Sequence, residues 1–305
     1  MRNSRYTTGS YRQKQVKATM RLVIISGRSG SGKSTALHVL EDEGYYCIDN
    51  LPASLLGALV TQIQKGDYPV LKGLAVSIDA RNTSRDLALF PAMLTQARAQ
   101  MDCDVIYLDA SKPTLIKRFS ETRRKHHLSN NDTDLAEAIE AERILLEPIA
   151  DLASLTIDSS TLNLYQLRDV IRDRVVQRGQ TDLSLLFMSF GYKHGIPVDA
   201  DLVFDVRNLP NPYWNHDLRA HTGREQPVID FLDGEAEVQT MFADIHDFLQ
   251  KWLPSYKKNR RYLTVAIGCT GGQHRSVYLC EKLHRAFREN YTLTQVRHRE
   301  FGSPH

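Results

Sequence analysis

No part of this 305-residue chain approaches the eighteen or more continuous apolar residues that a membrane span needs; its apolar runs, such as 263–267, are strand-sized. A membrane partner is therefore not expected. The first residues carry charge with no apolar segment behind it, which argues against a secretory leader. Cysteine is scarce. Cys47, Cys103, Cys269 and Cys280 form no CxxC pair and no dense framework, so free thiols in a reducing cytoplasm are expected rather than a secreted, disulfide-stapled fold. There is no internal repeat and no low-complexity tract. Excess charge of one sign is also missing from the folded part. The net charge is +3, but residues 1–19 hold Arg2, Arg5, Arg12, Lys14 and Lys17 and no acid; removing those five leaves −2 for residues 20–305. Global charge thus says nothing about RNA or DNA. The basic tail 1–19 has little to bury and is expected to be disordered. Met20, where the folded pattern begins, is a candidate start.

What is present is a soluble, folded composition, 42% apolar and 25% charged, over a length that suits two domains. From Met20 apolar strands alternate with amphipathic helices: strands at 22–26, 45–48, 74–78, 105–108 and 155–157, and helices at 33–43, after 49–52 to about 65, 114–125, 135–147 and 163–178. That alternation predicts an α/β domain over 20–178, a parallel sheet with helices on both faces. Arg178-Gly179-Gln180-Thr181 reads as a polar joint. Beyond it, strands at 183–190, 202–205 and 262–267 and helices at 244–252 and 276–289 predict a second α/β domain over 182–305. Residues 207–234, rich in Pro, Gly and Asn, are too long for a simple connection and read as a functional or mobile loop.

Gly27-Arg28-Ser29-Gly30-Ser31-Gly32-Lys33-Ser34 matches G-x-x-x-x-G-K-[ST] in full, after a strand and before a helix. Glycines let successive backbone N–H groups turn toward phosphate oxygens, and the helix N-terminus adds its dipole. Lys33 reaches the β- and γ-phosphates and Ser34 offers its hydroxyl to Mg²⁺. Asp49, Asp79 and Asp109 each end an apolar strand, where a carboxylate assisting Mg²⁺ or the attacking group belongs; each also reads as a capping or turn aspartate. Asp109 joins Lys33 and Ser34 as the candidate catalytic set. Arg118, Arg123 and Arg124 resemble the mobile arginine lid of small-molecule kinases, or a solvated helix face.

The second half carries its own strand–loop–helix, Gly268-Cys269-Thr270-Gly271-Gly272-Gln273-His274-Arg275-Ser276, an anion site on the same physical grounds. Cys-x5-Arg-Ser is also the spacing of cysteine-dependent phosphatases. Asp205, Arg207 and His194 end or follow neighbouring strands and are candidates for the same crevice. Lys257, Lys258, Arg260, Arg261, Arg285, Arg288, Arg297 and Arg299, with Tyr262 and Tyr291, form a candidate RNA-binding face or scattered solubilising charge.

Taken together, GRSGSGKS, CIDNLP, SIDARN, FGYKHGIP, DADLVFDVRNLPNP and VAIGCTGGQHRSVY resemble the RapZ/YvcJ family of bacterial P-loop proteins, in the family's order and over roughly residues 20–299. The resemblance implies binding and slow hydrolysis of ATP and GTP, with 27–34 as the ATP loop and Asp79-Ala80-Arg81-Asn82 as the segment assigned to GTP. It implies that the second domain binds a phosphorylated amino sugar through 269–276. In the RapZ branch it implies delivery of a small regulatory RNA to an endoribonuclease, tying glucosamine-6-phosphate supply to control of its synthase. A homo-oligomer is expected. That branch ends in a Lys/Arg-rich tail, whereas this chain ends Glu300-Phe301-Gly302-Ser303-Pro304-His305, so the basic arm 1–19 is a candidate substitute. The leading expectation is a regulatory NTP-binding protein; a small-molecule kinase and a Cys269 phosphatase are the alternatives.

Overall fold

Residue order decides the first sheet before any packing is considered. Its central strand β1 (Arg21–Gly27) is buried on both faces, as a run of Leu, Val and Ile between two helical layers must be. Around it lie β2 (Tyr45–Ile48), β3 (Gly73–Ser77), β4 (Asp102–Asp109) and β5 (Leu155–Asp158), all parallel, in the order β2-β3-β1-β4-β5. The computed structural model describes residues 20–65, 72–130, 132–177 and 183–301. The expected disordered tail 1–19 and the joint 178–181 lie outside the described residues, as do 302–305.

Helices α1 (Lys33–Asp42), α2 (Leu56–Gln64), α3 (Ser84–Gln100), α4 (Lys112–Thr122), α5 (Leu135–Ala150) and α6 (Leu164–Ile171) complete the first half. Reciprocal capping boxes start α5, between Asp134 and Glu137, and α6, between Asn163 and Gln166. The expected single helix 163–178 instead ends in a π-turn over Arg172–Val176. Helix α3 went unread in the sequence. Its buried face is only Leu87, Phe90, Leu94 and Ala97, its interior carries Pro91, and charged and polar residues fill the rest. Its start was legible, since Thr83 accepts the Asp86 N–H as an N-cap.

In the second half, β6 (Ser184–Gly191), β7 (Leu202–Asp205), β8 (Tyr262–Cys269) and β9 (Thr294–His298) make a parallel sheet in the order β7-β8-β6-β9. Strand β9 escaped sequence reading because it is short, polar and only partly buried. The stretch 207–234 is not a bare loop. It contains α7 (Gln226–Asp233), whose Val228 and Leu232 are buried, and leads into α8 (Ala236–Asn259), far longer than expected. Helix α9 (Arg275–Phe287) follows β8 and packs Leu279, Leu283 and Phe287 into the core of this half. No helix among the described residues is long and apolar enough to cross a membrane.

The halves meet through buried charge. Arg21 at the start of β1 donates to Asp104 at 2.6 Å, to the Tyr262 hydroxyl at 2.8 Å and to the Val175 carbonyl at 2.6 Å. Arg261 pairs with Asp102 on the same edge. Removing one member of such a buried pair strands the other, so Asp104→Ala is expected to cost about 3–5 kcal/mol, read as a lowered thermal midpoint. An unchanged midpoint would show that the junction does not hold the halves together.

Candidate phosphate-binding sites

β1 and β3 lie side by side, but the chain leaves β1 toward β2 and leaves β3 toward β4. Their carboxyl ends therefore flank a topological switch point, the place where open parallel sheets bind ligands. The first glycine loop leaves β1 at that point and 78–83 leaves β3 beside it. Gly27 is obligatory there: it holds φ +140, and a Cβ would stand 2.0 Å from the Leu108 carbonyl oxygen. Lys33 donates from Nζ to the carbonyls of Gly27 and Arg28, curled over the loop it belongs to. Burial lowers its pKa, partly countered by Glu142, Asp79 and Asp49 nearby. The Ser31 hydroxyl is buried with no protein partner. The first N–H groups of α1 have none within the helix. This donor set suits an oligophosphate, with the Ser34 hydroxyl at the start of α1 for a divalent cation.

The three aspartates separate once folded. Asp109 accepts from Arg28 at 2.6 Å and from the Ala110 N–H at 2.7 Å, while Arg28 also donates to the Ala110 carbonyl. Its carboxylate is thus engaged in bracing the loop. Asp79 is nearer to Lys33 electrostatically. Burial raises its pKa, but hydrogen bonds from the Arg81 side chain and backbone outweigh that, so it stays ionised. Asp49 accepts from the Ser77 hydroxyl at 2.5 Å. Asn82 is committed to structure, accepting from Ala53 N–H and donating to Leu51 and Asp79 carbonyls, and Ala80 is buried. Arg118, expected on a mobile lid, instead donates to the Gly30 and Ser159 carbonyls and the Ser159 hydroxyl, tying α4 to the loop. Arg123 and Arg124 are exposed.

Sequence reading missed Glu142 and His126. Glu142, on α5 and fully buried, accepts from the Ser29 N–H at 2.9 Å, the Ser29 hydroxyl at 2.8 Å and His126 Nε2 at 3.0 Å. Burial raises this carboxyl, yet the His126 hydrogen bond, Lys33 and the Ser29 donors hold it below the ordinary value. Because His126 Nδ1 accepts the Leu128 N–H at 3.2 Å, the ring proton sits on Nε2 and points at Glu142. His126, His127 and Glu142 bring ligand atoms within 4.8 Å of one another, a spacing open to a metal ion. A metal at Nε2 would have to displace that proton, so His126 and Glu142 form a hydrogen-bonded clamp on Ser29, with the exposed His127 ring stacked on His126. Its signal in the sequence was weak, a histidine pair and one acid in an otherwise exposed helix pattern.

In the second half, β8 ends at Cys269 and α9 begins at Arg275. Cys269 Sγ accepts the Gly272 N–H at 3.2 Å and lies 3.2 Å from the Ser276 hydroxyl. Arg275, 4% exposed, anchors Nη1 on the carbonyls of Arg207 at 2.7 Å and Leu209 at 2.9 Å. Nη2 reaches Thr270 Oγ1 only at 3.5 Å, and Nε has no protein partner. Anchoring one nitrogen leaves the Nε–Nη2 edge, the fork that grips phosphate oxygens. Asp205 and Arg207 form a bidentate pair at 2.6–3.0 Å, with the Arg207 guanidinium 3.9 Å above the Tyr192 ring. His194 Nε2 pairs with Glu300 at 3.3 Å. Glu300 also accepts the Gly191 N–H, and Gly191 packs directly on Gly271 and Gly272. Lys193, unremarked in the sequence, donates its N–H to the Thr270 carbonyl and brings Nζ beside Gly271. His274 is buried, which lowers its pKa.

Comparison with known proteins decides the family. A RapZ-like N-terminal domain matches residues 20–179, and a RapZ C-terminal domain matches residues 183–302. The chain belongs to the RapZ family. A protein of Pseudomonas syringae pv. tomato called a nucleotide-binding protein is 56% identical over 285 residues, 93% of this chain and 100% of its own length. Another of that description, from Marinobacter nauticus, is 55% identical over 94% of this chain and 98% of its length. Among solved structures, an unliganded sugar kinase from Janibacter sp. matches at 18% identity over 52% of this chain and 92% of its own, with a TM-score of 0.30.

Within this RapZ-family chain the basic residues do not make one face. Arg297 on β9 is half-buried in the field of Asp199 and Asp158, and burial lowers its pKa. Arg299 donates to the Gly195 carbonyl at 2.6 Å and lies over the Phe190 ring, so it braces the rim of the second loop. Arg260 and Arg261 are paired with Asp201 and Asp102. Lys257 and Lys258 are exposed at the end of α8, and Arg285 and Arg288 at the end of α9.

Proposed function

We propose that this chain is a regulatory nucleotide-binding protein. Residues 20–178 bind ATP or GTP with Mg²⁺ through 27–34 and hydrolyse it slowly. Residues 182–305 bind a phosphorylated amino sugar through 269–276, and Asp205, Arg207 and His194 line that crevice. Ser34 and a neighbouring carboxylate would hold Mg²⁺, which when bound would supply neutralising charge for the phosphoryl group. Lys33 follows the β- and γ-phosphates, and Asp79 stands ready just beyond the end of β3. The observation that carries this reading is the pair of strand–loop–helix cradles on one chain, each with backbone donors and a cation. In the family's manner the metabolite state is passed on to a small regulatory RNA and an endoribonuclease, with exposed Lys257, Lys258, Arg285 and Arg288 as the contact surface. The protein acts in the cytoplasm as a homo-oligomer.

A kinase is the second reading, and Arg118 counts against it. An arginine lid has to be free to close over the phosphoryl group, whereas Arg118 is spent on bracing Gly30 and Ser159. A kinase would turn over at about 1–100 per second only with its acceptor present. This chain is expected to hydrolyse ATP slowly whatever metabolite is added.

Saturation with glucosamine 6-phosphate at a hundred times Kd is expected to stabilise the chain by about 2.7 kcal/mol. Arg275→Ala should remove that gain and leave nucleotide binding unaltered. A thermal-shift titration checks both; stabilisation that survives Arg275→Ala would place the sugar elsewhere. Sequencing RNA that co-purifies with the intact chain tests the adaptor role, and RNA-free protein would end it.

A further inference from the structure

A phosphate cradle needs only donors, yet the floor of this one is a thiol. The residues read Cys269-x2-Gly272-x2-Arg275-Ser276, and the fold gives each a task. Gly272 turns the backbone at φ +74 so that its N–H points at Sγ. The Ser276 hydroxyl stands 3.2 Å from Sγ on the first turn of the thirteen-residue helix α9. Arg275 holds its charge within the electrostatic field of the same sulfur, and its Nε, almost wholly buried, has no hydrogen-bond partner among the described residues. The other three thiols behave as buried thiols do. Burial pushes Cys47 up to about 11 and Cys103 up to about 12, and raises Cys280 as well. At Cys269 burial acts in the same direction. The Ser276 hydroxyl, the Ser276 and Gly272 N–H groups and Arg275 outweigh it, and the thiol ends below its ordinary value.

From this geometry we propose that Cys269 is a nucleophile and that the second half is a cysteine-dependent phosphomonoesterase acting on a small phosphate ester. The proposal rests on 269–276 being a phosphate cradle. The Cys269 thiolate attacks phosphorus, an S–P bond forms and the ester P–O bond breaks. The loop N–H groups and the free edge of Arg275 hold the three non-bridging oxygens. The departing oxygen takes a proton from His194, which the Glu300 carboxylate orients at the rim of the loop. Water then gives that proton back to His194 and attacks the phosphocysteine. Inorganic phosphate leaves and the thiolate is restored. Asp205 is not the acid, because the Arg207 hydrogen bonds hold its carboxyl below the usual range. No metal or nucleotide enters these steps.

The test uses the full chain with EDTA present, so that Mg²⁺-dependent hydrolysis at the first loop is silent. para-Nitrophenyl phosphate and an alkyl phosphate are the probes. Wild type should hydrolyse the aryl ester, with inorganic phosphate as a competitive inhibitor, and Cys269→Ser should lose roughly 10³-fold or more. His194→Ala should slow the alkyl ester far more than the aryl ester, whose leaving group departs without a proton; equal slowing would remove His194 as the acid. Ser276→Ala should move the pH at which iodoacetamide alkylates Cys269 upward, and inorganic phosphate should protect that thiol. If inorganic phosphate binds and protects but no ester is cleaved, covalent catalysis is overturned and the cradle stands. If inorganic phosphate neither stabilises the protein nor protects Cys269, the cradle reading falls too. Retained thermal midpoints in the variants exclude unfolding as the cause of any loss.

Discussion

Replacing Glu142 by alanine is expected to be among the most damaging single changes in the first half. The carboxylate is fully buried and satisfies the Ser29 N–H, the Ser29 hydroxyl and His126 Nε2 at once. Its loss leaves three donors without acceptors, the His126 one fully buried and the two of Ser29 half-buried. Breaking a buried charged pair costs about 3–5 kcal/mol, which for a domain of this size lowers the thermal midpoint by roughly 10 °C. Glu142→Gln keeps the shape but can accept through only one oxygen, so it should fall between wild type and alanine. Acid should act in the same sense. Glu142 has a folded pKa below its unfolded value, so its contribution is complete above the ordinary carboxylate pKa and fades as pH falls through the folded one. Glu142→Gln should therefore flatten the acid limb of the stability curve. Denaturation followed from pH 7 downward checks this, and an unaltered acid limb would show that the clamp carries no charge.

Lys33→Ala has the larger effect on function. On the proposed reading the ammonium is the cation that would follow the transferred phosphate, and a preorganised donor of that kind is worth about 10²–10³ in rate. Nucleotide hydrolysis should fall by at least that factor, and nucleotide binding measured by calorimetry should become undetectable. Stability should move little, because among the described residues Lys33 Nζ hydrogen-bonds to the carbonyls of its own loop. Sugar phosphate binding to 269–276 should persist. A variant that still hydrolyses ATP at the wild-type rate would relocate the site away from 27–34.

The order of elements was legible because β1 and β8 are apolar runs that end in glycine loops, a pattern that has few meanings in a parallel sheet. Helix α3 was hidden by Pro91 and a thin apolar face, and β9 by its polarity. Asp79 and Asp109 look alike in the chain, each closing an apolar strand. Folding sends Arg28 to one and Arg81 to the other, and leaves only Asp79 within the field of Lys33. Likewise Arg297 and Lys257 are equally basic as letters, but one is half-buried in the field of Asp158 and Asp199 and the other stands exposed at a helix end.

Read from residues alone, the chain declares a P-loop, a second anion loop, two α/β halves and its family, because backbone geometry at glycine loops depends on neighbours a few positions away. Glu142 is 113 residues from Ser29, Arg118 is 88 from Gly30, and Glu300 is 109 from Gly191. Such partners are chosen by strand order and helix packing. Which groups are spent on holding each loop, and which stay free for a ligand, was therefore settled only by the folded arrangement.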